Sequence, residues 1–458
     1  MRRRKAELRA RVNGPLALRY AHEGLTSYAG LELLRRYFHR IDLAADLRRE
    51  LGTALPASDF GLGGMVMVVL TLLLSGGRRV RHLRYLDGDP VVRRLCGLRH
   101  LPTPRTVGRW LAAFRARHLP HLQRLNARVV ARAIRQIGHR RLTIDVDGSV
   151  VSTGRQVAWA HRGYNPHHRK VPSYYPITAY EAQSGQVLRV QNRPGNVHDG
   201  KAAVPFLRAL LTQLRTTLGA GYTLEFRMDG AFFRRDVLTL LARAGAEYAI
   251  KVPFYPWVGL TAKVRQTRTW TRVTDRVSCA EHTVAVAAWG GAGYRVVVYR
   301  THVQHETAKN FQLDLFDPSD GHYEYSAVVT NKTLAGPALW AFMCGRGTHE
   351  QVYGELKTGF AFGSVPSMQY AANSAWQCLS VLAFNLSRGF QLATTSPRRP
   401  RTPKRRTLYL FETIHTLRAL CLQRAGVLIH PQGAATLDVG TAPAVRERFR
   451  RLDRLLAA

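Results

Sequence analysis

Acidic residues are scarce. The 458-residue chain has 30 Asp and Glu against 68 Lys and Arg, a formal net charge of +38. Lysine is also rare, at 9 of those 68 cations, so the chain is basic through arginine. Such an imbalance pushes a compact chain apart unless it meets a polyanion, and nucleic acid is the default partner. Arginine-rich codon usage accounts for part of the arginine but not for the shortage of acids. Cysteine is sparse, at positions 96, 279, 344, 378 and 421, an odd number with no CxxC pair. That excludes a zinc ribbon, argues against a disulfide framework and points to a reducing compartment. Long apolar runs are absent. The longest, 65–74, falls short of the roughly 20 residues that cross a bilayer and reads as a buried helix. Met1-Arg2-Arg3-Arg4-Lys5 leads into charged and polar residues, so no secretory signal is expected there. A hydrophobic content of 46% is ordinary for a globular chain and excludes a disordered or collagen-like one. The length suits two or three domains.

What is present falls into a helical part and an α/β part. Residues 30–51 carry apolar side chains at helical spacing. Asp89-Pro90 is a helix start, with Gly97 as its stop, and Thr103-Pro104 repeats the start signal. The second helix would bury Val107, Trp110, Leu111 and Phe114 and carry Arg105 and Arg109 four apart. This pair is either a helix-turn-helix with a basic second helix or two ordinary packed helices with solvated arginines. From Leu142 the period changes to two, and strands are expected at 142–147, 175–180 and 186–190. A helix at 200–218, a strand at 222–228, a helix at 233–244 and a strand at 247–252 follow, an α/β order. Short β-like runs at 269–273, 283–289 and 294–299 make a strand-rich insertion over about 253–325. A strand at 325–330 and helices from 336 and over 371–390 come next. Residues 396–407, rich in Pro and Arg, read as an exposed linker, followed by a hairpin at Pro431-Gln432-Gly433 and a basic terminal helix.

With so few acids, their placement is informative. Asp147 ends a strand and precedes Gly148-Ser149. Asp229 ends another, in Phe226-Arg227-Met228-Asp229-Gly230. Taken singly, a strand-end Asp is most often a turn former or helix cap. Two carboxylates at adjacent strand ends repel unless a divalent cation sits between them. Asp145 shares a strand face with Asp147 and is its rival. Arg346, Glu350 and Lys357, spaced four and then seven, fall on one helix face. An Arg–Glu pair at that spacing is ordinarily a surface salt bridge, but a carboxylate flanked by two cations also suits a metal ligand beside a phosphate. His161 to Lys170 holds His161, His167, His168 and several cations without an acid or Cys. It reads as a metal site, a DNA-contacting loop or a solvated loop. Cys344 has no base partner and reads as a small apolar packer.

In combination these motifs resemble the DDE transposases of bacterial insertion sequences. The similar group has a ribonuclease-H-like core, a strand-rich insertion and a Tyr-Arg-Glu-Lys signature. Arg346, Glu350 and Lys357 match that signature in spacing, with Met343 at the Tyr position. Asp147-Gly148-Ser149, Asp229-Gly230-Ala231-Phe232 and Thr330-Asn331 resemble its other motifs, in the same order.

The resemblance implies an α/β fold in which a helical region that binds DNA ends (1–138) precedes a ribonuclease-H-like core (139–395, insertion about 253–325). A basic linker and C-terminal region (396–458) follow. It implies that Asp147, Asp229 and Glu350 hold two Mg²⁺ ions, with Mn²⁺ as a substitute, for DNA cleavage and strand transfer. Arg346 and Lys357 would grip end phosphates, and Arg105 and Arg109 would contact DNA. The expected partners are terminal inverted repeats, target DNA and a second copy of the chain on paired ends. No membrane is involved, and the expected setting is a prokaryotic cytoplasm, at the nucleoid. Related enzymes cut through a DNA hairpin and hold a flipped base on an aromatic ring. Trp257, Trp270 and Trp289 are candidates for that ring, or plain core. A ribonuclease-H-like nuclease without strand transfer and a non-catalytic DNA-binding protein are the alternatives.

Overall fold

A computed structural model describes residues 18, 24–52, 54–154, 156–163, 170–302, 322–440 and 442–457. The helices are α1 (Leu31–Arg40), α2 (Leu43–Leu51), α3 (Leu62–Leu74), α4 (Pro90–Cys96), α5 (Pro104–Ala112), α6 (Leu119–Ile137), α7 (Ala203–Leu218) and α8 (Arg235–Arg243). They continue as α9 (Leu260–Gln266), α10 (Gly336–Cys344), α11 (Gly347–Gly359), α12 (Tyr370–Thr394), α13 (Ile414–Leu417) and α14 (Pro443–Ala457). The strands are β1 (Leu25–Thr26), β2 (Arg141–Gly148), β3 (Val151–Ser152), β4 (Ser173–Tyr174), β5 (Ile177–Glu181), β6 (Gln186–Gln191) and β7 (Thr223–Met228). They continue as β8 (Glu247–Lys251), β9 (Thr271–Arg272), β10 (Val277–Ala285), β11 (Gly293–His302), β12 (Tyr323–Thr330), β13 (Gly426–Ile429) and β14 (Thr436–Val439).

The fold is mixed α/β. Among the described residues one sheet has nine strands, in the order β6-β5-β2-β7-β8-β12-β11-β10-β9. β6, β5 and β2 form an antiparallel meander. β2, β7 and β8 are parallel, because α7 and α8 carry the chain back across the sheet between successive strands. Their apolar faces close one side of it: Phe206, Leu207 and Leu210 of α7 and Val237, Leu238 and Leu241 of α8 pack with Ile144, Phe226 and Ile250. The strands of the expected insertion extend the same sheet beyond β8, through β12. The expected strand at 283–289 is displaced. β10 ends at Ala285 and Ala287–Trp289 is a 3₁₀ turn, because Ser278, Glu281 and His282 blur the apolar period of the strand.

The helical N-terminal part and the end of the α/β part share one hydrophobic cluster. α12 passes through it, with Trp376, Leu379, Phe384 and Leu386 fully buried, against α3, α6 and β6. β1 pairs with β13 of the C-terminal hairpin, so residues near the two ends meet. The helix-turn-helix reading of α4 and α5 does not carry over. Residues 97–103 make the link longer than the 3–4 residues of that motif. α4 packs on α3 and α1, whereas α5 packs on α12 and a 3₁₀ turn at Val80–Tyr85. Val107, Trp110, Leu111 and Phe114 are buried as expected, and Arg105 and Arg109 are exposed. The five cysteines are free. Cys344 is exposed, which corrects its reading as a packer; the other four are buried. Among the described residues no helix is long and apolar enough to cross a membrane.

Candidate active site

β2 and β7 are parallel neighbours in a register that sets Asp145 beside Arg227. Side chains two residues apart share a strand face, so Asp147 and Asp229 also face each other, one step further along. The two steps differ chemically. Arg227 Nε and Nη2 donate to the two oxygens of Asp145 at 2.6 and 2.8 Å, and neither side chain has solvent exposure. Asp145 is thereby consumed. Asp147 and Asp229 have no such strand partner. Burial pushes the Asp147 carboxyl up to about 7, with the charges of Asp229 and Asp199 adding and Arg346 opposing. Asp229 is raised for the same leading reason. One of its oxygens accepts from Ala231 N at 3.1 Å, which closes the turn after β7.

Arg346 lies where the two acids converge. It is the residue before α11, and its Nη2 is 2.9 Å from Asp147 Oδ2 and 3.9 Å from Asp229 Oδ2. Glu350, one turn along α11, is exposed, and its charge adds to the field that holds the Arg346 pKa up. Lys357 is half-buried, and desolvation lowers its pKa. Glu355 faces away from the acids, pairing with Arg388 and accepting from Ile414 N. Met343 packs partly buried against the cluster that holds Leu339 and Phe342.

The third carboxylate beside Asp147 and Asp229 is Asp199, which the sequence reading did not single out. One oxygen from each of the three lies within 4.8 Å of the others. Asp199 precedes α7 and is buried. Arg193 Nη2 donates to its Oδ1 at 2.5 Å and the Tyr175 hydroxyl to its Oδ2 at 3.0 Å. Gly148 permits the approach, since a Cβ there would stand 2.3 Å from Asp199 Oδ1. The available signal was Asn196-Val197-His198-Asp199-Gly200, an acid just before a predicted helix start. Three oxygen donors around one point suit a hard divalent cation.

α11 is positioned by groups on its buried face, also unanticipated. The Tyr353 hydroxyl donates to the Asp147 carbonyl at 2.8 Å and accepts from Thr178 Oγ1 at 2.7 Å. His349 Nε2 meets the same Thr178 oxygen at 2.9 Å. The His349 ring stacks on both Tyr180 and Tyr353. Burial, with Arg346 and Arg227 nearby, pushes its pKa down to about 3.

Thr330 and Asn331 tie β12 to β8 by hydrogen bonds to Tyr248 and Ala246. Of the aromatic candidates, Trp257 is half exposed. It stacks on Phe233 at 6.2 Å and lies 5.8 Å from Trp289. These three rings, with Arg208, Arg234 and Arg243, line a cleft of about 760 Å³. Trp270 instead lies under Arg300, 4.4 Å away. His167, His168 and Arg169 of the histidine-rich loop lie outside the described residues.

The chain matches the family described as "Transposase DDE domain group 1" over residues 11–452. It belongs to that family. No curated protein matches the chain. Among solved structures it is similar to the piggyBac transposase in a synaptic complex with hairpin DNA. The identity is 10% and the TM-score 0.40, over 94% of this chain and 85% of that one.

Proposed function

We propose that this chain cleaves and rejoins DNA as the cut-and-paste transposase of an insertion-sequence element, acting at the nucleoid of a prokaryotic cytoplasm. One observation carries the reading. Asp147 and Asp229, the first two acids of the family motif, converge from adjacent parallel strands around the Arg346 guanidinium. The strand order β6-β5-β2-β7-β8, with the first three antiparallel and the last three parallel, supports a ribonuclease-H-like core.

Asp147 and Asp229 would hold the metal. Glu350 is the third ligand by signature and Asp199 the third by proximity. Bound Mg²⁺, or Mn²⁺ in its place, would lower the pKa of the attacking water or 3′-OH and stabilise the leaving oxygen. The remaining work is positioning and charge neutralisation. Tyr353 fixes the backbone of Asp147, and Arg193 and Tyr175 aim Asp199. Arg346 and Lys357 supply positive charge for the phosphate. The ledge of Phe233, four residues past Asp229, with Trp257 and Trp289 would hold a base displaced from the stack. Excision needs two ends held together, so the active form is a dimer on paired ends.

The test is to incubate the full chain with Mg²⁺ and DNA carrying the sequences that flank its gene. Cleaved ends with a 3′-OH joined to a target support the reading. Cleavage without joining would make it a nuclease, and binding without cleavage a non-catalytic DNA-binding protein.

A further inference from the structure

Residues 78–118 contain eleven Arg and two Asp. In the folded chain six of these cations fall on or beside two adjoining elements. Arg78, Arg79, Arg81 and Arg84 are exposed on and beside the 3₁₀ turn Val80–Tyr85, as are Arg105 and Arg109 on α5, which packs against that turn. Among the described residues the side chains of Arg79, Arg81, Arg84, Arg105 and Arg109 form no ion pair. The other arginine row of this region differs. On α6, Arg124 and Arg128 pair with Glu50, and Arg132 with Asp46. Glu50 and Asp46 are thus spent on α6, while the arginines of the turn and α5 are left without an ion-pair partner among the described residues, beside the single exposed acid Asp87. The neighbouring His82 registers this field: burial lowers its pKa first, and Arg81, Arg79 and Arg78 lower it further. Tyr85, 76% exposed, adds a flat ring to the same surface.

The patch also abuts the catalytic elements. Ser364 Oγ donates to the Arg78 carbonyl at 2.9 Å, and residue 364 follows α11, which carries Glu350. A cleft of about 560 Å³ separates Arg78, Arg79 and Arg81 from Ser152, Thr153 and Ser364. Ser152 is five residues past Asp147, no more than about 17 Å of extended chain.

We infer that Arg79, Arg81 and Arg84, together with Arg105 and Arg109, form a phosphate-binding track that seats duplex DNA and leads it along this cleft to Asp147. The inference rests on the proposed DNA-joining function and adds the surface on which the duplex lies. Recognition here is of the backbone: arginine side chains without fixed partners neutralise phosphates, and each one engaged releases counterions.

The experiment uses the full chain and a labelled duplex of about 40 base pairs, with affinity measured from low to moderate salt. Wild type should show a steep fall of log affinity with log salt. The triple variant Arg79→Ala/Arg81→Ala/Arg84→Ala should reduce that slope by about 2–3, at about 0.9 per lost phosphate contact, with an unchanged melting temperature. Arg450→Ala/Arg451→Ala/Arg454→Ala removes the same charge from the exposed side of α14 and should leave the slope nearly as it was. Equal slopes for wild type and the first variant, or equal losses in both variants, would overturn the track. So would the same slope change on a single-stranded RNA of equal length. A wild type without salt-dependent duplex binding would sink the transposase reading itself, whereas steep wild-type binding that the first variant retains would sink only the track.

Discussion

Arg227 holds both oxygens of Asp145 in an ion pair with no solvent exposure on either side, while Asp147, two residues on, faces Arg346 and a second carboxylate. Asp145→Ala leaves a buried guanidinium unpaired, which costs about 3–5 kcal/mol. It should lower the melting temperature sharply. Asp147→Ala relieves like-charge crowding and should melt at or above wild type while losing DNA cleavage. Thermal melts and a cleavage assay on the two variants check this. A stable, inactive Asp145→Ala beside an active Asp147→Ala would move the first ligand to Asp145.

Glu350 and Glu355 should separate in the opposite way. Glu355→Gln weakens the pair with Arg388 and should destabilise the chain by about 1–3 kcal/mol, with cleavage retained below its melting point. Glu350→Gln should melt like wild type and lose cleavage by orders of magnitude, because a neutral amide is a poor Mg²⁺ ligand. Lys357→Ala should fall between them. The reverse order for the two glutamates would break the signature alignment.

Asp199 is distinguished by metal binding as well as by turnover. Asp199→Asn should weaken Mn²⁺ binding in calorimetry at least tenfold, in the absence of DNA. Gly148→Ala should do the same, since its Cβ would collide with Asp199 Oδ1 at 2.3 Å. Unchanged Mn²⁺ affinity in Asp199→Asn would restrict Asp199 to shaping the loop before α7.

On the proposed reading a divalent cation would compete with Arg346 for the same carboxylate oxygens. Arg346→Ala should therefore bind Mn²⁺ more tightly than wild type, yet cleave more slowly for want of its charge at the phosphate. Weaker metal binding in this variant would show that the guanidinium organises the acids and does not compete for them.

The His349 pKa, near 3 in the folded chain, predicts an acid sensitivity. The unfolded chain takes up a proton below about pH 6.5 and the folded one does not. Stability from this group is therefore complete above pH 6.5 and is lost as pH falls toward 3, at up to about 1.4 kcal/mol per unit. His349→Gln should flatten the fall in denaturant midpoint between pH 6.5 and 4.5, measured in a chelator to exclude metal effects. An unaltered fall would assign the acid sensitivity to other groups.

Some of this was readable from local pattern. The period of two from Leu142, the caps at Asp89 and Thr103 and the apolar face of α5 are set by near neighbours along the chain, so sequence alone determined them. Asp147 and Asp229 could be picked out as candidates because strand ends and scarce acids are visible in one dimension. The choice between Asp145 and Asp147 was not. Both stand on one face of β2, and only the register of β7 brings Arg227 to the first and a second acid to the other. Asp199 and Tyr353 escaped for the same reason: each reaches Asp147 from a different element, across 52 and 206 positions of chain. The arginines of α5 and α6 look alike in sequence, and tertiary contacts with Glu50 and Asp46 neutralise one row and leave the other bare. Sequence determined the elements and the stock of charges. Tertiary structure decided which charges cancel, because Coulomb energy depends on distance in space and on burial, and neither is carried by position in the chain.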